Sequence, residues 1–375
     1  MKILYFVDRL LRGGIQTLLL NLVTQIKTER PDTQVDFLLF DDGNEYELED
    51  VFRNLKSCIY KVSWPTFKNV SACMRDLDSF FRSHHDYDLV HAHSSSKVVL
   101  PLYYARKYGI KVRIAHSHNT QFQTKNPLVK FIGRLLMYPA CYVANYYMAC
   151  SRTAAKWMFD NFVGSRRPVY ILKNGVLLDE YLYNEEIRKV IRGELSISED
   201  EVVIGNIGRF SLQKNHRFLV RIFAAYHRLN PKSKLLLVGT GELYERTVED
   251  VRFLGIENSV MFLGFRNDVS RLYQAFDLFL MPSLYEGLPF VGIEAQASGL
   301  PCVFSDTITL ELKLLESTIF IPLGIDEKVW ATKMDDLLHG STRHDTSIPL
   351  TNAGYNICEE AQRLLNYYDN AIKSV

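Results

Sequence analysis

The sequence lacks paired cysteines. Its six, Cys58, Cys73, Cys141, Cys150, Cys302 and Cys358, are scattered, and no C-x-x-C occurs. That excludes a zinc ribbon and gives no disulfide framework, so a reducing cytoplasm is the expected compartment. Low-complexity tracts are missing as well. With 23% charged and 47% hydrophobic residues, general disorder is excluded. No clean apolar run reaches the ~18–20 residues that a membrane span needs. The N-terminus, MKILYFVDRLLRGG, has too short an apolar run for a signal peptide and meets Asp8 and Arg9 early. G-x-G-x-x-G is absent, which argues against a Rossmann dehydrogenase. No nucleic-acid partner is expected.

What is present suits two globular domains in 375 residues. The net charge of +1 is unevenly spread. Residues 1–178 carry 24 Lys and Arg against 15 Asp and Glu, a net of +9, and the remainder carries 20 against 28, a net of −8. Either the helix faces are simply solvated, or the first half meets something anionic, such as a membrane surface or a phosphorylated acceptor.

Strand and helix patterns alternate from the start. KILYFV, QVDFLLF, CIYKV, YDLVHAHS and KVRIAHSHN read as strands, with helical spacing in IQTLLLNLVTQI, ACMRDLDSFFRSH and SKVVLPLYYARKYG. Residues 125–150, apolar and tyrosine-rich, read as a core helix or as a helix that also touches the bilayer surface. In the second case Lys125, Lys130 and Arg134 are on its wet side. VYILKNGVLLDEYLYN looks like the exit from the first domain, and the polar segment 179–201 reads as a linker. The alternation then restarts at VVIGNIGRF and continues through SKLLLVGTG, VMFLGF and LFLMPS. Such alternation means parallel α/β sheets, here two doubly wound, Rossmann-like domains in tandem. The default site is the cleft between them, at the carboxyl ends of the strands.

Several motifs carry chemistry. In PSLYEGLPFVGIEAQASGLPCVFSD, Glu286 precedes a helix whose first turn can hold Pro289, and Glu294 lies within it. Gly299 and Pro301 end that helix. Gly287 beside the helix N-terminus lets backbone N–H groups approach a phosphate. One carboxylate on each side of a bound diphosphate can then hold sugar hydroxyls. Small apolar flanks place Glu294 close to the interior. In GRFSLQKNH, Arg209 and Lys214 sit on a loop at a strand's carboxyl end, where two cations can clamp two phosphates. Gly13 and Gly14 lie in the first strand-to-helix loop and permit close approach of a ligand.

HAHS and HSHN put His91 with His93, and His116 with His118, on one face of a strand each. Zinc is conceivable, but no third ligand is obvious nearby, and the preferred reading has these residues lining strand ends. Asp76 with Asp78, and Asp86 with Asp88, resemble D-x-D motifs but read as surface charge. No metal site is expected.

Taken in order, GG near the N-terminus, HSHN, KNGVLLDEY, GRFSLQKNH, LVGTG, FLGF and SLYEGLPFVGIEAQASGLPCVFSD resemble the retaining GT-B glycosyltransferases of family 4. The resemblance covers nearly the whole chain, and Glu286 to Glu294 as E-x7-E is its most specific part. The wording of the last motif resembles the branch that builds bacterial capsule and exopolysaccharide. The resemblance implies a GT-B fold facing across a cleft. Residues 1–178 form an acceptor-side domain and 179–350 a nucleotide-sugar-binding domain, and a helix in 351–375 crosses back to the first.

It also implies roles. Glu294 holds the ribose, and Glu286 the donor hexose, with the backbone of Gly287 and Leu288 on sugar and phosphate. Arg209 and Lys214 clamp the diphosphate. Gly14, with Gly13, meets the donor phosphate or acceptor. The base lies near Gly239 and Phe265. His118 is the histidine near the reacting sugar, with His116 as its rival. Asn119 stands where family members often carry a carboxylate, which leaves that histidine's role open. The implied reaction needs no cofactor or catalytic metal. The implied donor is a UDP-sugar and the acceptor a saccharide or polyprenyl-linked saccharide. The location is the cytoplasm, with a peripheral membrane contact as an extension. Two alternatives share the architecture: a nucleotide-sugar epimerase and a non-catalytic partner subunit. The second would be expected to have lost Glu286, Glu294 or the Arg209/Lys214 pair.

Overall fold

The computed structural model describes all residues except 12, 67, 95, 121, 123–125 and 160–167, and the side chains of 96 and 136 are also outside the description. Lys125, expected on the wet side of a helix, is therefore outside the described residues. The chain divides into two units, Met1–Gly175 with Ile357–Val375, and Val176–Asn356.

The first unit is built on strands β1 (Lys2–Val7), β2 (Gln34–Asp41), β3 (Ile59–Ser63), β4 (Leu89–His93), β5 (Val112–Ser117), β6 (Tyr146–Ala149) and β7 (Val169–Ile171). Among the described residues they form one parallel sheet in the order β3-β2-β1-β4-β5-β6-β7. Its helices are α1 (Gly14–Glu29), α2 (Glu47–Asn54), α3 (Val70–Ser83), α4 (Val99–Lys107), α5 (Pro127–Val143) and α6 (Arg152–Phe159). β1 is buried from Ile3 to Val7, because a parallel sheet is covered on both faces.

The second unit carries α7 (Leu178–Tyr181), α8 (Glu185–Glu194), β8 (Val202–Ile207), α9 (His216–Leu229), β9 (Ser233–Val238), α10 (Tyr244–Phe253) and β10 (Val260–Gly264). It continues with α11 (Val269–Ala275), β11 (Leu278–Met281), α12 (Phe290–Ala297), β12 (Cys302–Ser305), β13 (Thr318–Ile321), α13 (Glu327–His339) and α14 (Ser347–Asn352). Its parallel sheet runs β10-β9-β8-β11-β12-β13. The last helix, α15 (Ile357–Lys373), belongs to the first unit and packs on α1. The breaks fall after Gly175 and Asn356, a few residues from the 178 and 350 expected from the sequence.

Two expectations are corrected. The polar stretch 179–201 is not a loose linker. It holds α7 and α8, and Arg188 and Arg192 of α8 reach Asp277 at 2.6 and 3.2 Å, which fixes the segment to the second sheet. Residues 125–150 are not one helix. Asn126 Oδ1 accepts from Leu128 N and Val129 N, and Pro127 takes the first helical position, so α5 starts sharply. It ends at Val143, and YYMA becomes strand β6. Pairing with β5 and β7 wins over continued helix there.

α5 buries Met137, Ala140 and Cys141 in the core. It leaves Leu128, Phe131, Leu135, Tyr138 and Tyr142 exposed at helical spacing. Lys130 is exposed, but Arg134 is turned inward, donating to Trp157 O at 2.7 Å, and is not on the wet side. Among the described residues, no helix is long and apolar enough to cross a membrane.

Candidate functional site

In the second sheet, consecutive strand ends are stitched together by their own loops. Gly208 N donates to Val238 O (2.9 Å), Phe210 N to Thr240 O (3.0 Å), and Gly239 N to Gly264 O at the end of β10 (2.8 Å). Gly239 has φ 135°, and a Cβ on it would lie 2.1 Å from Gly208 O. Gly241 has φ 158°, and its Cβ would lie 2.5 Å from Phe210 O. Only glycine lets the loops after β8 and β9 pack this closely. Phe265, the next residue after β10, is 52% exposed.

β8 and β11 are neighbours without being consecutive, so the sheet's topological switch point lies between them, where ligands of open α/β sheets bind. The loops after these strands are also tied. Leu284 N donates to Gln213 O (2.8 Å), Gln213 Nε2 to Tyr285 O (3.0 Å), and Asn215 Nδ2 to Pro282 O (3.1 Å). In this gap Lys214 Nζ lies 2.8 Å from Glu286 Oε1, with side chains 14% and 8% exposed. Gln213 Nε2 donates to Glu286 Oε2 at 3.0 Å. A half-buried lysine and a buried carboxylate are thus held at the switch point, the lysine beside Met281 Sδ.

Arg209 does not share that pair. Its side chain is 67% exposed and its Nε donates to Glu242 Oε2 at 3.1 Å. An exposed pair is worth little and yields readily to a stronger anion. The two cations that spacing puts on one loop therefore have different partners.

After β11 the chain passes Glu286 and Gly287, buries Leu288, and enters α12. Pro289 is the N-cap of α12, one residue outside the helix where the first turn was expected. Glu294 lies in α12, 6% exposed. Tyr273 Oη donates to Glu294 Oε2 at 2.9 Å. Burial pushes the Glu294 carboxyl above its ordinary pKa, opposed by hydrogen bonds from Tyr273 and Tyr181 and by the Lys214 charge. A carboxylate kept in the interior by two phenols can accept further hydroxyl hydrogen bonds.

In the first unit the histidines gather. His93 pairs in register with His116 across β4 and β5. His91 Nε2 lies 3.0 Å from His116 Nδ1, and His93 Nδ1 lies 3.0 Å from His118 Nε2. Tyr368 Oη of α15 lies 2.6 Å from His91 Nδ1 and 3.2 Å from Tyr5 Oη. His91, His93 and His116 are buried, whereas His118, just past the end of β5, is half-buried. Burial, reinforced by the neighbouring rings, pushes His91, His93 and His116 well below the ordinary histidine pKa, and burial takes His118 down to about 3. The third imidazole that neither strand motif supplies alone comes from the adjacent strand, which corrects the reading of two isolated pairs.

Gly13 caps α1 and Gly14 is its first residue, both exposed. Gly13 is extended, at φ 178°, which any residue adopts, so the value of glycine there is the missing side chain. The D-x-D carboxylates are engaged locally. Asp76 accepts from Ser63, Asp78 pairs with Arg82 and Lys107, and Asp86 and Asp88 receive Lys2 Nζ and Lys2 N.

Sequence reasoning missed Gln213, Tyr273, Tyr181 and Tyr368. Gln213 adjoins Lys214 inside a motif already singled out, which is a usable signal. The tyrosines come from elements distant in sequence, and only packing shows them.

Comparison with known proteins matches residues 12–180 to Glycosyltransferase Family 4 and residues 187–348 to Glycosyl transferases group 1. The putative glycosyltransferase EpsF of Bacillus subtilis (strain 168) is 30% identical over 376 residues, covering 98% of this chain and 96% of that protein. The UDP-Gal:alpha-D-GlcNAc-diphosphoundecaprenol alpha-1,3-galactosyltransferase of Escherichia coli is 27% identical over 59% of this chain and 58% of its own. Among solved structures, Anabaena HepE in complex with UDP and glucose superposes with a TM-score of 0.81 at 20% identity, over 99% of this chain and 100% of that one. Two parallel α/β units in tandem, with this likeness along the full length, establish the chain as a GT-B glycosyltransferase of the family that joins a Family 4 domain to a group 1 domain.

Proposed function

We propose that this glycosyltransferase moves a hexose from a UDP-sugar to a lipid-linked saccharide, with retention, in bacterial polysaccharide assembly. The observation that carries the reading is the meeting of Lys214 and Glu286 at the β8/β11 switch point, with Glu294 buried in the helix that follows. The choice of UDP rests on relatives: HepE has been solved with UDP and with UDP-glucose, and the E. coli relative is named for UDP-Gal. The lipid-linked acceptor rests on that relative and on a Campylobacter jejuni diphospho-undecaprenol transferase 26% identical over 54% of this chain.

In this reading Glu294 receives the ribose hydroxyls and Glu286 a hexose hydroxyl. The base lies against Gly239 and Phe265, and the backbone of Gly287 and Leu288 faces sugar and phosphate. The diphosphate takes Lys214 and Arg209 from their present carboxylates, aided by N–H groups at the start of α12. As the bond from the anomeric carbon to the phosphate oxygen breaks, its electron pair goes to the diphosphate, whose growing charge these groups stabilise. The acceptor hydroxyl attacks from the same face and passes its proton to the departing phosphate. Arg209 and Lys214 take the charge role that a metal would otherwise fill. His118, half-buried past the end of β5, is preferred over the fully buried His116 as the histidine beside the reacting sugar. Gly13 and Gly14 leave room for donor phosphate or acceptor.

The proposed location is the cytoplasmic membrane face. Residues 89–159 contain ten Lys and Arg and no Asp or Glu, and they include the exposed apolar stripe of α5. An exposed apolar helix face, with Lys130 exposed on the same helix, suits an anionic lipid surface.

The test is UDP release from a panel of UDP-sugars with and without a polyprenyl-diphosphate-linked saccharide. Release that requires the acceptor supports the reading. Conversion of the sugar without acceptor would instead establish the epimerase. No binding of any nucleotide sugar would overturn the donor-site reading and bring the non-catalytic partner forward.

A further inference from the structure

We propose that His91, His93 and His116 form a binding site for one zinc-class divalent metal ion inside the first unit, beside His118. One nitrogen from each of the three rings lies within 4.8 Å of the other two. His91 Nε2 and His116 Nδ1 are already 3.0 Å apart. With metal–nitrogen bonds of ~2.0–2.1 Å, a tetrahedral centre has ligand edges of roughly 3.4 Å. The hydrogen bond between those two rings can therefore be exchanged for a shared ion with little movement, and a modest turn of His93 supplies the third ligand.

Two further observations point to an occupant. His93 Nε2 is fully buried and has no hydrogen-bond partner among the described residues. Native interiors rarely leave such an atom unpaired. The rings are also held from outside the trio. Tyr368 Oη engages His91 Nδ1 and His118 engages His93 Nδ1, so Nε2 of each ring is left for the interior. Metal-bound imidazoles are fixed by outer hydrogen bonds in this way.

The donor set is all nitrogen. That suits Zn²⁺, Co²⁺, Ni²⁺ or Cu²⁺, and disfavours Mg²⁺ and Ca²⁺, which need oxygen ligands. With the metal on His93 Nε2, the remaining proton of that ring sits on Nδ1 and is donated to His118 Nε2. Loading the site would thus fix the tautomer of His118. The site itself is independent of the glycosyl-transfer reading.

The experiment uses the full chain without an affinity tag, stripped with EDTA and desalted. Added Zn²⁺ should raise Tm, saturating at one ion per chain, because a ligand of the folded state alone stabilises it. Co²⁺ should give the visible absorption of a tetrahedral nitrogen site, and Mg²⁺ should do neither. His93→Gln should lose the Zn²⁺ response. Tyr368→Phe deletes only an outer hydroxyl, keeps the ring packing, and should weaken Zn²⁺ binding about 10-fold or more. His84→Ala with His85→Ala, away from the cluster, should leave it unchanged. Absence of both the Tm rise and the Co²⁺ absorption in the wild type would overturn the site. So would Zn²⁺ affinity that is equal in wild type, His93→Gln and Tyr368→Phe.

Discussion

Lys214 Nζ and Glu286 Oε1 stand 2.8 Å apart across the gap between β8 and β11, and each is the other's counter-charge in a poorly solvated place. Removing only the lysine leaves a buried carboxylate without that counter-charge, which costs about 3 kcal/mol. Lys214→Ala should therefore lower both Tm and kcat, the latter roughly 10²–10³-fold if the ammonium stabilises the leaving diphosphate. Lys214→Ala with Glu286→Ala should recover Tm and leave the enzyme inactive. Thermal melts beside turnover assays separate the two effects, and wild-type turnover in the single variant would remove Lys214 from the mechanism.

Glu294 makes the opposite trade. Its folded pKa is raised, so the ionised carboxylate costs stability, and that cost is present as pH rises through the folded value and absent below the unfolded one. Glu294→Gln should raise the Tm of the ligand-free protein at pH 7. It should also abolish stabilisation by UDP-sugars. A lower Tm in the variant would contradict a strained carboxylate.

The histidine cluster titrates the other way. Folded His91, His93, His116 and His118 resist protonation, while the unfolded chain takes protons up near pH ~6.5. Stability contributed by the neutral rings is whole above that pH and is lost as pH falls toward the folded values, about 3 for His118. Each such ring contributes a slope on the order of 1 kcal/mol per pH unit. The Tm of stripped protein, measured from pH 7.5 to 5, should decline steadily. A flat profile would contradict neutral burial.

Gly239→Ala adds a Cβ 2.1 Å from Gly208 O at a backbone angle of 135°. The strain, about 1–3 kcal/mol, should lower Tm. By displacing the β8 and β9 loops, the substitution should raise KM for the donor more than it lowers kcat. An unchanged KM would place the base elsewhere.

Phe131 and Leu135 are 62% and 57% exposed on α5, so Phe131→Ser with Leu135→Ser should hardly move Tm. If that face meets lipid, binding to vesicles of anionic phospholipid should weaken roughly 10-fold or more. Vesicle co-sedimentation reads this directly, and equal sedimentation of wild type and variant would remove the membrane contact.

The fold was legible where a signal is local. Buried parallel strands are continuous apolar runs, so KILYFV and LFLMPS announced β1 and β11, and glycines with positive φ marked the turns after β9. The Glu286 to Glu294 spacing was legible for the same reason, since both residues belong to one strand-turn-helix passage. Reading failed where neighbours in space are strangers in sequence. The segment 179–201 looked like a linker because its charges were read as solvated, when Arg188 and Arg192 are spent on Asp277. YYMA was absorbed into an apolar helix because β6 becomes a strand by pairing with β5 and β7.

The sequence by itself determined two parallel α/β units, the loops that carry Arg209, Lys214 and Glu286, and the helix that carries Glu294. All of these follow from periodicity and turn chemistry within about thirty residues. Tertiary structure alone decided which charges meet. It gave Lys214 to Glu286 and Arg209 to Glu242, set two phenols on Glu294, and joined two histidine pairs into one cluster. Strand order and register make those choices. They are settled by burying whole sheet faces, so no short stretch of sequence contains them.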